Sequence, residues 1–241
     1  MRTVVIGDIH GGLKALKQLI EKANLPKDTK YIFLGDYVDG WSESAEVIEY
    51  LINFSQENTC IFLRGNHDDL LYNYLKTGEK NLMWLNQGGE STIKSYSNLS
   101  KTEKGIHLRF LENLTNYHID SENRLFLHAG FMNLHGPEHE YHPHLVYWDR
   151  TLWEMACSLD TRIPMDDDRY PKRLKLFKEI FIGHTPVTRV GFDVPANFAN
   201  VWNIDTGAAF KGKLSLLDID SKEIWQSQAV HSLYPKESGR N

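Results

Sequence analysis

Tyr31-Ile32-Phe33-Leu34-Gly35-Asp36-Tyr37-Val38-Asp39-Gly40 is the stretch on which the fold turns. Its first four residues have the length and apolarity of a buried strand, and Gly35 and Gly40 let the backbone turn sharply afterwards. Asp36 and Asp39 then stand at the rim where α/β sheets place their chemistry. A carboxylate has two oxygens and can touch two cations at once. Asp36 therefore reads as a bridge between two metal ions, and Asp39 as the group that orients a catalytic histidine.

The same pattern precedes and follows it. Residues 2–7 read as a strand leading into Gly7-Asp8-Ile9-His10-Gly11-Gly12, and Leu13, Leu16, Leu19, Ile20 and Ala23 repeat at helical spacing. This turn lacks the G-x-G-x-x-G spacing of a dinucleotide loop. From an extended strand end, Asp8 and His10 point to one side, and a carboxylate with an imidazole makes a half-site for Zn, Mn or Fe. A helix is expected from about Ser42, capped by Ser42 and buried through Ala45, Ile48, Leu51 and Ile52. A third apolar run, Cys60-Ile61-Phe62-Leu63, leads into Arg64-Gly65-Asn66-His67-Asp68 and a further helix through Leu70, Leu71, Tyr74 and Leu75. This βαβαβα alternation implies a parallel sheet with right-handed crossovers, covered by helices on both faces.

The whole chain bounds the answer. Its 241 residues suit one domain, 1–241, and 41% hydrophobic with 24% charged residues is ordinary for a soluble protein. A formal charge of −5 argues against a nucleic-acid binder, which needs a basic face, but bound cations would reverse the field locally for a phosphorylated substrate. Cys60 and Cys157 make no disulfide framework. Strand residues begin at Thr3, leaving no room for a signal peptide, and no apolar run approaches the roughly 20 residues of a bilayer span. A cytoplasmic protein without a membrane partner is expected.

Further along, residues 77–116 carry helical patterns interrupted by Gly88-Gly89, with Ile106, Phe110, Leu111 and Leu114 inward: a helical insert that covers the sheet. Arg124–Leu127 is a strand ending in His128-Ala129-Gly130, and Glu179–Ile182 ends in Gly183-His184-Thr185-Pro186. Between them, residues 131–175 read as a polar connection or lid. Its His135, His139, His142 and His144 match no metal-ligand spacing. Runs at 200–207, 213–219 and around Ile224 suggest an antiparallel meander forming a second sheet, and the chain from about Leu233 reads as loose.

Gly-Asp-x-His-Gly, Gly-Asp-x-Val-Asp and Gly-Asn-His-Asp, in this order, resemble the signature of the calcineurin-like metallophosphoesterases. Val38 and the pair Leu63-Arg64 resemble its phosphoprotein phosphatase branch, which includes bacterial protein phosphatases and symmetrical diadenosine tetraphosphate hydrolases. The resemblance implies an α/β fold, a sandwich of two β-sheets flanked by helices. It also implies two divalent ions, Mn or alternatively Fe or Zn. One would be held by Asp8, His10 and Asp36, the other by Asp36, Asn66, His128 and His184. The implied reaction is attack on phosphorus by a bridging hydroxide, with His67 protonating the leaving group, Asp39 holding its ring, and no phosphoenzyme. Where the protein phosphatases carry a phosphate-gripping arginine after the second motif, this chain has Gly40, so Arg150 becomes the candidate phosphate ligand beside Asn66. The expected activity is a serine/threonine phosphatase-like phosphomonoesterase acting on a phosphorylated protein or small phosphorylated molecule. A symmetrical diadenosine tetraphosphate hydrolase and a non-catalytic binding protein on the same fold are the alternatives.

Overall fold

Alternation along the strands sorts their side chains between three apolar layers, because successive residues face opposite sides of a sheet. In β1 (Thr3–Ile6), Val4 and Ile6 join one cluster and Val5 another. The computed structural model, which describes residues 1–240, repeats that division through two five-stranded sheets.

The first sheet runs β10-β9-β1-β2-β3. Its β1, β2 (Lys30–Phe33) and β3 (Thr59–Phe62) are parallel, joined through α1 (Leu13–Ala23) and α2 (Ser44–Glu57), with α3 (Asn66–Thr77) following β3. The insert supplies α4 (Leu82–Trp84), α5 (Glu90–Ser95) and α6 (Lys101–Glu112). The second sheet runs β4-β5-β6-β8-β7, from β4 (Tyr117–Ile119), β5 (Arg124–Leu127), β6 (Glu179–Ile182), β7 (Ala196–Phe198) and β8 (Val201–Asn203). Helices α7 (Thr151–Ser158) and α8 (Lys172–Lys175) lie between β5 and β6. The hairpin β9 (Lys213–Asp218) and β10 (Ile224–Ala229) pairs antiparallel onto β1, and α9 (Val230–Leu233) follows.

Three expectations are corrected here. Helices cover one face of the first sheet only; the other meets the second sheet through Val5, Ile32, Leu34, Leu63, Phe126, Phe181, Ile204, Leu217 and Ile219. Phe126 and Phe181 stack at 5.0 Å and 9° in that layer. A sheet buried on both faces needs apolar residues at every position, which is why neither periodicity nor composition betrayed what lay across it. Runs 213–219 and 224–229 extend the first sheet rather than forming a meander in the second. Residues 234–240 are held in place, with Tyr234 fully packed against Trp41; Asn241 lies outside the described residues.

Registers decide where the site falls. Ile6 pairs with Phe33 and Phe33 with Phe62, while Phe126 pairs with Phe181 and Ile182 with Asn203. The carboxyl ends of three parallel strands in each sheet are thus level, and their loops meet at one edge of the sandwich. Among the described residues, no helix is long and apolar enough to cross a membrane.

Candidate metal centre

At that edge the backbone leaves extended geometry, and the turns aim the side chains. His10 has φ 52°, Asp36 φ 53°, Asp39 φ 73° and His184 φ 70°, a left-handed region that costs non-glycine residues energy and clusters at functional sites. Asp8 and His10 therefore converge through a tight turn, not along an extended strand end as their spacing suggested. Asp36 O accepts the N–H groups of Ile9 and His10 at 3.0 and 2.9 Å, which locks the first two loops together. The side chains of Asp36 and Asp8 press on Gly65 and Gly183; a Cβ at either glycine would overlap the carboxylate.

Two donor groups result: Asp8, His10 and Asp36 in one, Asp36, His128 and His184 in the other. Their shared member is one atom. Asp36 Oδ2 lies 3.6 Å from His10 Nε2 and 3.3 Å from His128 Nε2, while Oδ1 accepts the His67 N–H at 3.0 Å. Asn66 Oδ1 approaches His128 Nε2 at 3.3 Å and joins the second group. Asp8 accepts the His184 N–H at 3.0 Å and so ties the first sheet's loop to the second's.

The tautomers favour cations. His128 Nδ1 donates to Leu34 O at 2.8 Å, and His10 Nδ1 faces the carbonyls of Val38 and Asp39 at 3.1 Å each. Each ring then turns its Nε2 lone pair inward. His128 Nε2 meets Asp36 Oδ2, Asn66 Oδ1 and, at 3.1 Å, His184 Nδ1. Four acceptors facing one point repel one another unless something positive stands between them, so these residues fit a divalent ion. Their acidity records the same demand. Burial opposes charge on His128, but Asp36 outweighs it and lifts the ring to about 10. Burial pushes Asp8 up to about 7 and His10 down to about 4. A bound metal would displace the proton that His128 otherwise holds.

His67 and Asp39 form the adjoining pair. Asp39 is wholly buried and its Oδ2 accepts His67 Nδ1–H at 2.5 Å, leaving His67 Nε2 as the outward atom. The His67 ring meets His10 edge-on at 5.2 Å. Two donors from the insert complete Asp39: Trp84 Nε1–H at 2.6 Å and Thr92 Oγ1–H at 2.6 Å. The insert thus reaches the site as well as covering the sheet, and nothing in its helical pattern announced Trp84 or Thr92. Asp205, just past β8, was also missed: it is buried among these groups, and burial with Asp8 nearby raises it to about 8. Its place after an apolar run and before Gly207 repeats the pattern of Asp8 and was a usable signal.

Other candidates fall into place. Ser42 does not cap α2; its N–H and hydroxyl bond Glu237 at 3.0 and 2.7 Å. Trp41 is packing, stacked on Tyr234 and donating to Ala208 O at 2.8 Å. Arg64 stays behind the donors, bonding Leu111 O at 2.9 Å. Asp149 spends its oxygens on the N–H groups of Thr151 and Leu152, so it caps α7 and leaves Arg150 exposed beside the second donor group. The charge of Arg150 reaches His184, whose basicity is lowered first by burial and then by His128.

The sequence model of the family described as calcineurin-like phosphoesterase matches residues 1–208. The asymmetrical bis(5'-nucleosyl)-tetraphosphatase PrpE of Oceanobacillus iheyensis is 27% identical over 244 residues, spanning 93% of this chain and 91% of its own. A crystal structure of a candidate diadenosine tetraphosphatase superposes with TM-score 0.63 at 17% identity, covering 93% of this chain and 92% of that one. A serine/threonine phosphatase from Saccharomyces cerevisiae superposes with TM-score 0.58 at 17% identity, covering 95% and 80%. The two superpositions speak to the fold alone.

Proposed function

The chain belongs to the calcineurin-like phosphoesterase family and is a phosphoric-ester hydrolase of that kind, and from that premise we propose that its centre splits a phosphoanhydride of a dinucleoside polyphosphate. The observation that carries the hydrolytic reading is Asp36 Oδ2, placed between two donor groups beside the His67–Asp39 pair. When bound, two divalent ions, Mn or alternatively Fe or Zn, would acidify a water and neutralise charge gathering on the phosphoryl oxygens. Asp8, His10 and Asp36 would hold one, and Asp36, Asn66, His128 and His184 the other.

The protein's own groups do the rest. His67 gives a proton from Nε2 to the departing oxygen, and Asp39 keeps Nδ1 protonated and the ring fixed. Arg150, with Asn66, would bind the phosphoryl oxygens: it is exposed, and Asp149 beside it is taken up by the N–H groups of Thr151 and Leu152. Dinucleoside polyphosphate is favoured as substrate because the relatives aligned end to end with this chain carry that activity in their names. Phosphoserine or phosphothreonine is the second reading, favoured by Val38 and Leu63-Arg64.

Turnover of diadenosine tetraphosphate and of a phosphopeptide by the metal-loaded protein, side by side, tests the choice. Preference for the dinucleotide supports the first reading and preference for the phosphopeptide the second. No hydrolysis of either, nor of an aryl phosphate, would overturn both.

A further inference from the structure

Segment 234–240 is fastened at Tyr234, Glu237, Gly239 and Arg240. Tyr234 stacks on Trp41 at 5.2 Å, accepts the Lys14 N–H at 3.0 Å and donates to Glu43. Glu237 receives Ser42, and the Arg240 N–H donates to Ala209 O at 2.9 Å. Gly239 (φ 62°) lies so close to Trp41 that a Cβ would come within 2.8 Å of its ring.

That anchoring delivers Arg240 to a notch between two glycines. A Cβ on Gly40 or on Gly88 would lie 3.2 Å from Arg240 Cγ, and both glycines have φ above 100°. The Gly40 position is also 3.6 Å from His10 Cβ, so the Arg240 stem passes alongside the first donor group. Any side chain at residue 40 would need the space this stem fills. Among the described residues no ion pair engages the guanidinium, and its Nε is buried without a hydrogen-bond partner. The ion pairs of the described residues engage Arg2, Arg64, Arg124, Arg162, Arg169 and Arg173. The guanidinium carbon of Arg240 lies 5.6 Å from the centre of the Phe210 ring. The positive charge of Arg240 acts on His10 and, after that of Arg189, on Arg150, so Arg240 and Arg150 both stand close to the centre.

A buried donor without an acceptor is costly, and it is tolerated where a ligand supplies the acceptor. We propose that Arg240 is a phosphate-binding residue on the His10 side of the centre, in addition to Arg150, and that segment 234–240 is part of the substrate site. The inference rests on the hydrolase reading, and the substrate class is an oxyanion with at least two phosphoryl groups within reach of both guanidinium groups.

Arg240→Met keeps the apolar stem and removes the charge; Arg240→Lys keeps the charge without the fork. Calorimetric titration of inorganic phosphate into the metal-loaded full chain is the direct readout, with metal stoichiometry and melting temperature measured on the same samples. Arg240→Met is expected to weaken phosphate binding about 10- to 100-fold, as for a lost hydrogen bond to a charged group, with KM raised more than kcat is lowered. Arg240→Lys should recover part of that loss. Unchanged phosphate affinity in Arg240→Met, in a protein whose wild type hydrolyses its substrate, would overturn the role of Arg240 alone. A wild type that binds metal yet hydrolyses nothing would overturn the hydrolase reading itself.

Discussion

Asp39 shows how a single carboxylate can be saturated by donors from three separate helices. It accepts from His67, Trp84 and Thr92, all within 2.6 Å, and has no access to water. Removing His67 as His67→Asn should lower turnover of a substrate with a poor leaving group about 10²–10⁴-fold, the usual span for a lost general acid. A kcat unchanged within threefold on an alkyl phosphate would refute the acid role. Trp84→Phe should act more gently, because it removes one of three donors and leaves the ring in place. A several-fold fall in kcat with unchanged metal content is the expected result, and an unchanged kcat would refute the positioning role of Trp84. Sequence reading named Asp39, in the loop after β2, and His67, in the first turn of α3, because both follow a strand end closely, and the structure brings the two together. Trp84 and Thr92 come from 45 and 53 residues away through an irregular insert, and no local pattern encodes that approach.

The insert itself is pinned to α2 by α6, where Ser100 and Glu103 form a capping box and His107 is buried against Tyr96 Oη at 3.0 Å and Glu49 at 3.2 Å. Burial lowers the His107 pKa from 6.5, with Glu49 opposing. The unfolded chain would therefore take up a proton near pH 6.5 that the folded form resists. Stability from the buried neutral ring is fully present above that pH and is lost as pH falls toward the lower folded value. His107→Gln should flatten the decline in urea midpoint as pH falls below 6.5, relative to wild type. Parallel curves for the two proteins would show that His107 does not contribute. Elements of this kind were legible as helices, but which faces they covered was not. Ile106, expected inward, is 37% exposed, whereas Leu111 is fully buried.

Across the whole molecule, eight of the ten strands were readable from apolar runs, whereas β4, β7 and the sorting of strands into sheets were not. Runs 213–219 and 201–203 look alike in sequence and pair with opposite sheets, a choice made by contacts some 200 residues away in β1. The layer between the sheets is correspondingly the main source of cohesion. Phe126→Ala should cost about 3–5 kcal/mol through lost burial and the cavity left behind, read as a lower urea midpoint at unchanged slope. A loss below about 1 kcal/mol would mean the layer can collapse around the gap. Removing metal with a chelator should abolish hydrolysis and lower the melting temperature, and re-addition should restore both, since an ion bound only by the folded form stabilises it. An unchanged melting temperature would count against the donor groups described. Because one donor set hangs from β1 and β2 and the other from β5, β6 and the start of α3, with a single oxygen common to both, loading either ion arranges an atom that the second requires. Uptake should thus be paired instead of stepwise. A titration followed by amide exchange would then quiet the loops of both sheets over the same narrow range of added cation, fastening the two halves of the sandwich like a clasp.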